Sequence, residues 1–177
     1  MSVSDNALQY RALLFDLSKP VTMSPEMFDQ AWPYVDSVYT TLRGETIQAY
    51  GKIRVKTYEC RLRKSKKSNT TREISEGKIV KRRHSSIRNP GLCNVRIKVS
   101  RPVDGSPVTI ERLDEHTHLH DIEESFRVKK PTILLDYITT EAVKNYSASQ
   151  IFHALRGVGT AEGSERLQAI GGSSLTR

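Results

Sequence analysis

Three of the chain's five histidines fall on alternate positions of one short stretch: His116, His118 and His120 in "DEHTHLH". Alternate residues of an extended strand project to the same side, so a His-x-His pair can aim two imidazoles at one point. The only two cysteines are Cys60 and Cys93, and with the first histidine pair they read C-x32-C-x22-H-x-H. Two thiolates and two imidazoles suit tetrahedral zinc, the thiolates supplying the charge that offsets the ion. The expected ligands are Cys60, Cys93, His116 and His118, with His120 able to replace His116 if the strand register slips. The competing reading is two buried cysteines beside an exposed histidine-rich strand, since the chain has no C-x-x-C knuckle.

Such a centre would hold structure rather than perform catalysis. Four protein ligands leave no open position for a substrate or an activated water. Glu115 reads as exposed or as a partner of a ligand, and neither cysteine has the surroundings of a nucleophile. The expectation is that the protein is not an enzyme.

Charge points to a partner. The 177 residues carry 28 Lys+Arg and 20 Asp+Glu, but 17 of the basic residues and only 3 of the acidic ones fall between Lys52 and Arg101. A basic block on a mildly acidic body fits a polyanion held on one face. No apolar run of about 18 residues and no charged-then-apolar leader is visible, so neither a membrane span nor a secretory signal is expected. "KSKK" and "KRRH" can also act as nuclear localisation signals, which places the protein in the nucleus.

The elements that must position these residues are legible in outline, as an α+β protein. The first 23 residues hold a short apolar run, "ALLFDL", closed by a proline. "SPEMFDQAWPYVDSVYTTL" predicts a helix: Ser24 is its N-cap, Pro25 its first residue, and an apolar stripe runs through Met27, Phe28, Ala31, Trp32, Val35, Val38, Tyr39 and Leu42. Pro33 should kink that helix or delay its start, and Gly44 is a plausible stop. "TIQAYGKIRVKTYEC" favours a strand, and a basic, polar insert follows over 61–91. "LCNVRIKVSRP" and "VTIERLDEHTHLH" are predicted as two further strands joined by a "VDGSP" turn, the second delivering the histidines. Together they make an antiparallel sheet of three or four strands within a unit spanning 24–125.

A helical hairpin is expected over 126–156. Its second helix opens on Ser147 with Gln150 three residues on, a capping box. The pair has the spacing of a helix-turn-helix, although such pairs more often serve only to pack. A Gly- and Ser-rich flexible tail is expected over 157–177.

Cysteine, a variable basic insert, a second cysteine and a later His-x-His resemble the zinc-binding domain shared by WRKY transcription factors, glial-cells-missing factors, FLYWCH domains and far-red-impaired-response proteins. The nearest likeness is to the last group and to the Mutator-like transposases from which it derives. It is carried by "SPEMFDQAWPYVDSVYTTLRG", "RVKTYEC", "GLCNVRIKVS" and "VTIERLDEHTH", about Ser24 to Asp121. The resemblance implies a four-stranded antiparallel sheet with zinc at one end, ligated by Cys60, Cys93, His116 and His118. It also implies sequence-specific binding of double-stranded DNA by a strand edge, in a transposase or a transcription factor derived from one. The chain departs from the pattern in lacking a WRKYGQK heptad and a transposase's acidic catalytic domain, and its insert is longer than that of WRKY proteins.

Phosphate contacts are expected from Arg61, Arg63, Lys64, Lys66, Lys67, Lys81, Arg82 and Arg83, and major-groove contacts from Lys52, Arg54, Lys56, Arg96 and Lys98. Two other functions stay open: an RNA-binding basic protein, and a zinc-stabilised module docking a second copy or another protein through its flanking helices. The first has few aromatics for base stacking, since only Tyr50 and Tyr58 lie in the basic window.

Overall fold

The computed structural model describes residues 5–63, 92–155 and 170–172. Five strands form one antiparallel sheet: β1 (Val21–Met23), β2 (Tyr39–Gln48), β3 (Ile53–Cys60), β4 (Arg96–Pro102) and β5 (Val108–Arg112). Their spatial order is β1-β5-β4-β3-β2, one strand more than expected. The addition is β1, whose three residues pair with Val108–Ile110 and close the edge beyond β5. Five helices accompany the sheet: α1 (Asp5–Asp16), α2 (Pro25–Ala31), α3 (Ile122–Val128), α4 (Thr132–Val143) and α5 (Ala148–Leu155). Among them, no helix is long and apolar enough to cross a membrane.

The start of α2 matches its sequence signals. Ser24 Oγ accepts from the Met27 amide at 3.2 Å, and Pro25 opens the first turn. The expected continuation to Leu42 does not occur. Pro33 has no N–H to donate and its ring crowds the carbonyl four residues back, so the chain passes into a 3-10 turn at Trp32–Tyr34. The aromatic and β-branched residues that follow, Tyr39, Thr40 and Thr41, then enter β2. Gly44 lies within β2 rather than ending a helix.

The strand-favouring stretch over 46–60 holds the end of β2, a turn and all of β3. Ala49, Tyr50 and Gly51 all take positive φ, at 51°, 52° and 90°, and reverse the chain between β2 and β3. Register then sets which side chains face inward, because directly opposed residues share a face. Lys56 sits opposite Val99 and Tyr58 opposite Ile97, so Lys56, Tyr58 and Cys60 share one face, while Val55 lies on the other, opposite Ser100, and is buried there as well. In β4 the expected alternation holds, with Val95, Ile97 and Val99 buried.

The main core lies between the face carrying Tyr58 and Cys60, the inner one, and α1 and α2. Leu14, Leu17, Phe28, Ala31, Val35 and Val38 meet Ile97, Val108 and Ile110, and both cysteines belong to the same cluster. A second cluster joins Tyr34 to Leu134, Ile151, Leu155 and Ile170. Asp36 ties the two regions together: its carboxylate accepts from the Thr132 amide at 2.9 Å, Thr132 Oγ1 at 2.7 Å and Lys129 Nζ at 2.6 Å. It thereby caps α4 from almost a hundred residues away. The capping box of α5 is present, with the Ser147 amide donating to Gln150 Oε1 and the Gln150 amide to Ser147 Oγ.

Two boundaries move. The expected division at 125/126 falls inside α3, where Phe126 is 1% exposed. The stretch read as a flexible tail includes Ile170, also 1% exposed, because its aliphatic side chain completes the second cluster.

Candidate metal centre

Cys60 is the last residue of β3, where its amide donates to the Val95 carbonyl at 2.9 Å. That bond brings it beside Cys93, two residues before Val95, and both thiols are fully buried. The histidines do not come from a strand. β5 ends at Arg112, and residues 113–121 form an irregular segment leading to α3. Charged and backbone contacts fix its course. Arg96 grips Asp114 through two hydrogen bonds of 2.8 Å, and Arg112 Nη1 donates to the His116 carbonyl at 2.7 Å.

This path selects the second histidine pair. Cys60, Cys93, His118 and His120 form one group whose donor atoms all lie within 4.8 Å of one another. His116 is exposed and outside it; its backbone carbonyl, not its ring, takes part in anchoring the segment. The strand rule underlying the expectation for His116 does not apply where the chain has already left the sheet.

Three of the separations match a tetrahedral site. His118 Nδ1 lies 3.3 Å from Cys93 Sγ and 3.2 Å from His120 Nε2, which is itself 3.2 Å from Cys60 Sγ. Four-coordinate zinc with ordinary bond lengths separates its nitrogens by about 3.3 Å and each nitrogen from a sulfur by about 3.5 Å. The far nitrogens are both engaged. His120 Nδ1 is 2.8 Å from the Asp121 carbonyl oxygen, which can only accept, so this nitrogen carries the proton. His118 Nε2 is 3.2 Å from the Tyr39 hydroxyl, which donates its own proton to the Leu14 carbonyl at 3.0 Å. The hydroxyl oxygen is therefore the acceptor for His118 Nε2–H. Neutral rings with these tautomers turn two lone pairs toward each other, an arrangement favourable only with a cation between them.

The thiols are unequal. The hydrogen bond to Cys93 and then burial raise the Cys60 pKa, whereas the same bond from Cys60 holds Cys93 down as the thiolate against the opposing effect of burial. The Leu62 amide points at Cys60 Sγ from 3.4 Å. Burial opposes the charged form of His120, but its contacts with Cys93 and the Asp121 carbonyl outweigh that and raise its pKa. Burial, reinforced by the neighbouring cysteines, pushes the Tyr39 hydroxyl far up, so it stays protonated. Tyr39 had no signal as a site residue, being read as part of a helical stripe.

The cations expected to contact DNA divide into three groups. Lys64, Lys66, Lys67, Lys81, Arg82 and Arg83 lie outside the described residues. Four others are engaged by the protein itself. Arg61 donates to the Ser37 and Tyr39 carbonyls, Arg63 pairs with Glu59, Arg96 with Asp114 and Lys98 with Glu111. The third group is Lys52, Arg54 and Lys56 in and beside β3. Among the described residues Lys52 and Lys56 form no salt bridge, although Lys52 acts on the Asp104 carboxylate and Lys56 lies over the Tyr58 ring at 5.2 Å, and Arg54 has only a loose pair, Glu45 at 3.8 Å. Tyr50 stands fully exposed at the adjoining turn.

No family model, curated protein or solved structure matches this chain.

Proposed function

We propose that the protein is a zinc-structured module that binds double-stranded DNA, of the kind used by Mutator-like transposases and the transcription factors derived from them, and that it acts in the nucleus without enzymatic activity. The observation that carries the zinc reading is the convergence of Cys60, Cys93, His118 and His120 with both outer imidazole protons committed elsewhere. Two sulfurs and two nitrogens as the donor set favour zinc over the oxygen-seeking divalent ions. The role is structural: the ion would join the end of β3, the approach to β4 and the histidine segment.

DNA is supported by charge. Between the described ends at Arg63 and Leu92 the sequence holds nine Lys+Arg and two Asp+Glu, and both ends adjoin the cysteines. This insert would supply phosphate contacts. Lys52 and Arg54, with the exposed turn at Tyr50, form the strand surface best suited to enter a groove, while Lys56, on the inner face over the Tyr58 ring, is a weaker candidate. Arg96 and Lys98, already paired with carboxylates, would have to break those pairs and are the weaker candidates.

The test is binding to a random duplex pool across a salt series, with single-stranded RNA as competitor. The affinity should fall steeply with salt, with a slope near −0.9 per phosphate contacted. Replacing Lys52 and Arg54 by alanine should weaken the sequence preference selected from the pool, whereas neutralising the lysines and arginines of the insert should flatten that slope. A preference for RNA would favour the RNA-binding reading, and a salt-independent response would remove nucleic acid altogether.

A further inference from the structure

The outer contacts of His118 come from Tyr39 at the start of β2 and from α1, which precedes the entire Cys/His array. The Leu14 carbonyl takes the Tyr39 hydroxyl proton at 3.0 Å, leaving the hydroxyl oxygen to accept from His118 Nε2 at 3.2 Å. Phe15, the next residue of α1, stacks on the His118 ring at 4.2 Å with 12° between planes. It also meets His120 edge-on at 5.7 Å. Just past the helix, the Leu17 carbonyl accepts from Arg112 Nε at 2.9 Å, and Arg112 also holds the His116 carbonyl. The C-terminal end of α1 thus touches one metal-facing imidazole through a relay, both rings directly, and the start of their segment through an arginine.

We infer that the end of α1 is a working part of the metal centre: Tyr39 and Phe15 set the His118 ring so that Nδ1 faces the ion, and metal binding in return docks α1. This rests on the zinc reading above. An imidazole ligates through whichever nitrogen lacks a proton, and the partner of the other nitrogen decides which that is. At His118 that partner is a hydroxyl fixed by a helix carbonyl, with an aromatic face holding the ring plane. Tyr39 and Phe15 are positioning residues, not ligands. Coupling between helix docking and metal binding is reciprocal, so whatever docking adds to zinc affinity zinc returns to docking. A 12-residue helix is marginal alone, which leaves α1 dependent on such contacts.

The experiment uses the full chain with and without zinc. Hydrogen exchange of the amides over Leu13–Leu17 should accelerate on chelation together with that of the histidine segment. Tyr39→Phe should lower zinc affinity by about 10- to 100-fold, the usual effect of losing a ligand's outer partner. In imidazole-nitrogen NMR of the zinc-loaded variant, the His118 Nε2–H signal should lose its protection from solvent. Phe15→Leu, which retains apolar bulk but not the stacked ring, covers the case in which Tyr39→Phe fails to fold, and should weaken zinc in the same direction. Unchanged α1 exchange on chelation, or wild-type affinity in the folded variants, would overturn the inference while leaving the zinc site standing. A wild type that takes up no zinc would overturn both.

Discussion

His118 and His120, two residues apart, approach each other through opposite ring atoms, Nδ1 of the first and Nε2 of the second, at 3.2 Å. A regular strand would have offered equivalent edges of the two rings. The irregular segment after Arg112 turns one ring relative to the other by 75°. The Asp121 carbonyl and the Tyr39 hydroxyl then fix a complementary nitrogen on each.

The ligand register gives the first prediction. Native mass spectrometry should find one zinc per chain, lost in Cys93→Ser, His118→Ala and His120→Ala. His116→Ala should retain it. Loss of zinc in His116→Ala with retention in His120→Ala would instead restore the register expected from the sequence.

Acid should act in two stages. Metal binding requires deprotonated ligands, so zinc should leave as the pH drops below about 6, where imidazoles ordinarily protonate. The Arg96–Asp114 pair should outlast it. Its hydrogen bonds with Arg96 hold the Asp114 carboxyl below its usual pKa. A depressed carboxylate stabilises the fold above its unfolded-state pKa and loses that contribution only as pH falls through the lower folded value. A zinc-sensitive dye and far-ultraviolet circular dichroism, followed together during acidification, should therefore report separate transitions. Asp114→Asn should leave no second stage assignable to this pair.

The hairpin turn sets stability against function. Ala49 and Tyr50 occupy left-handed conformations at φ 51° and 52°, which cost side-chain-bearing residues about 1 kcal/mol each. Ala49→Asn with Tyr50→Gly supplies residues suited to such a turn and should raise the melting temperature by several degrees. If Tyr50 stands at the DNA surface, the same variant should bind duplex DNA more weakly. Tighter folding with unchanged binding would remove Tyr50 from the interface.

Asp36 joins the two clusters through three hydrogen bonds away from the metal centre. Asp36→Ala would orphan the Thr132 amide and hydroxyl and the Lys129 ammonium, at a cost of about 2–3 kcal/mol. Chemical denaturation should show that loss, and zinc stoichiometry should stay at one, because Asp36 contributes no ligand.

What the sequence disclosed was local chemistry. Ser24, Pro25, Ser147 and Gln150 act through neighbours three residues away, and their caps are present as expected. The alternation of Val95, Ile97 and Val99 likewise reports burial directly. Errors arose where distant packing decided the outcome. The apolar stripe from Met27 to Leu42 fits a helix, but Pro33 ends the turn and β3 recruits Tyr39 and its successors as a partner. The two cysteines were identifiable because the chain has no others, while three histidines competed for two places. Nothing near His118 in the sequence signals that α1 supplies its surroundings, since that contact spans about a hundred residues.

The proximity of Cys60 and Cys93 has a consequence for how such a module can diversify. Arg63 and Leu92, the described ends of the insert, both lie within three residues of that paired point. Doubling a flexible loop adds only about 0.6 kcal/mol of closure entropy. A clamp of this kind fixes where the insert begins and ends: Arg61 and Leu62 belong to the folded part, Leu62 as a buried member of the core, so a different basic cassette would have to be spliced in beyond them.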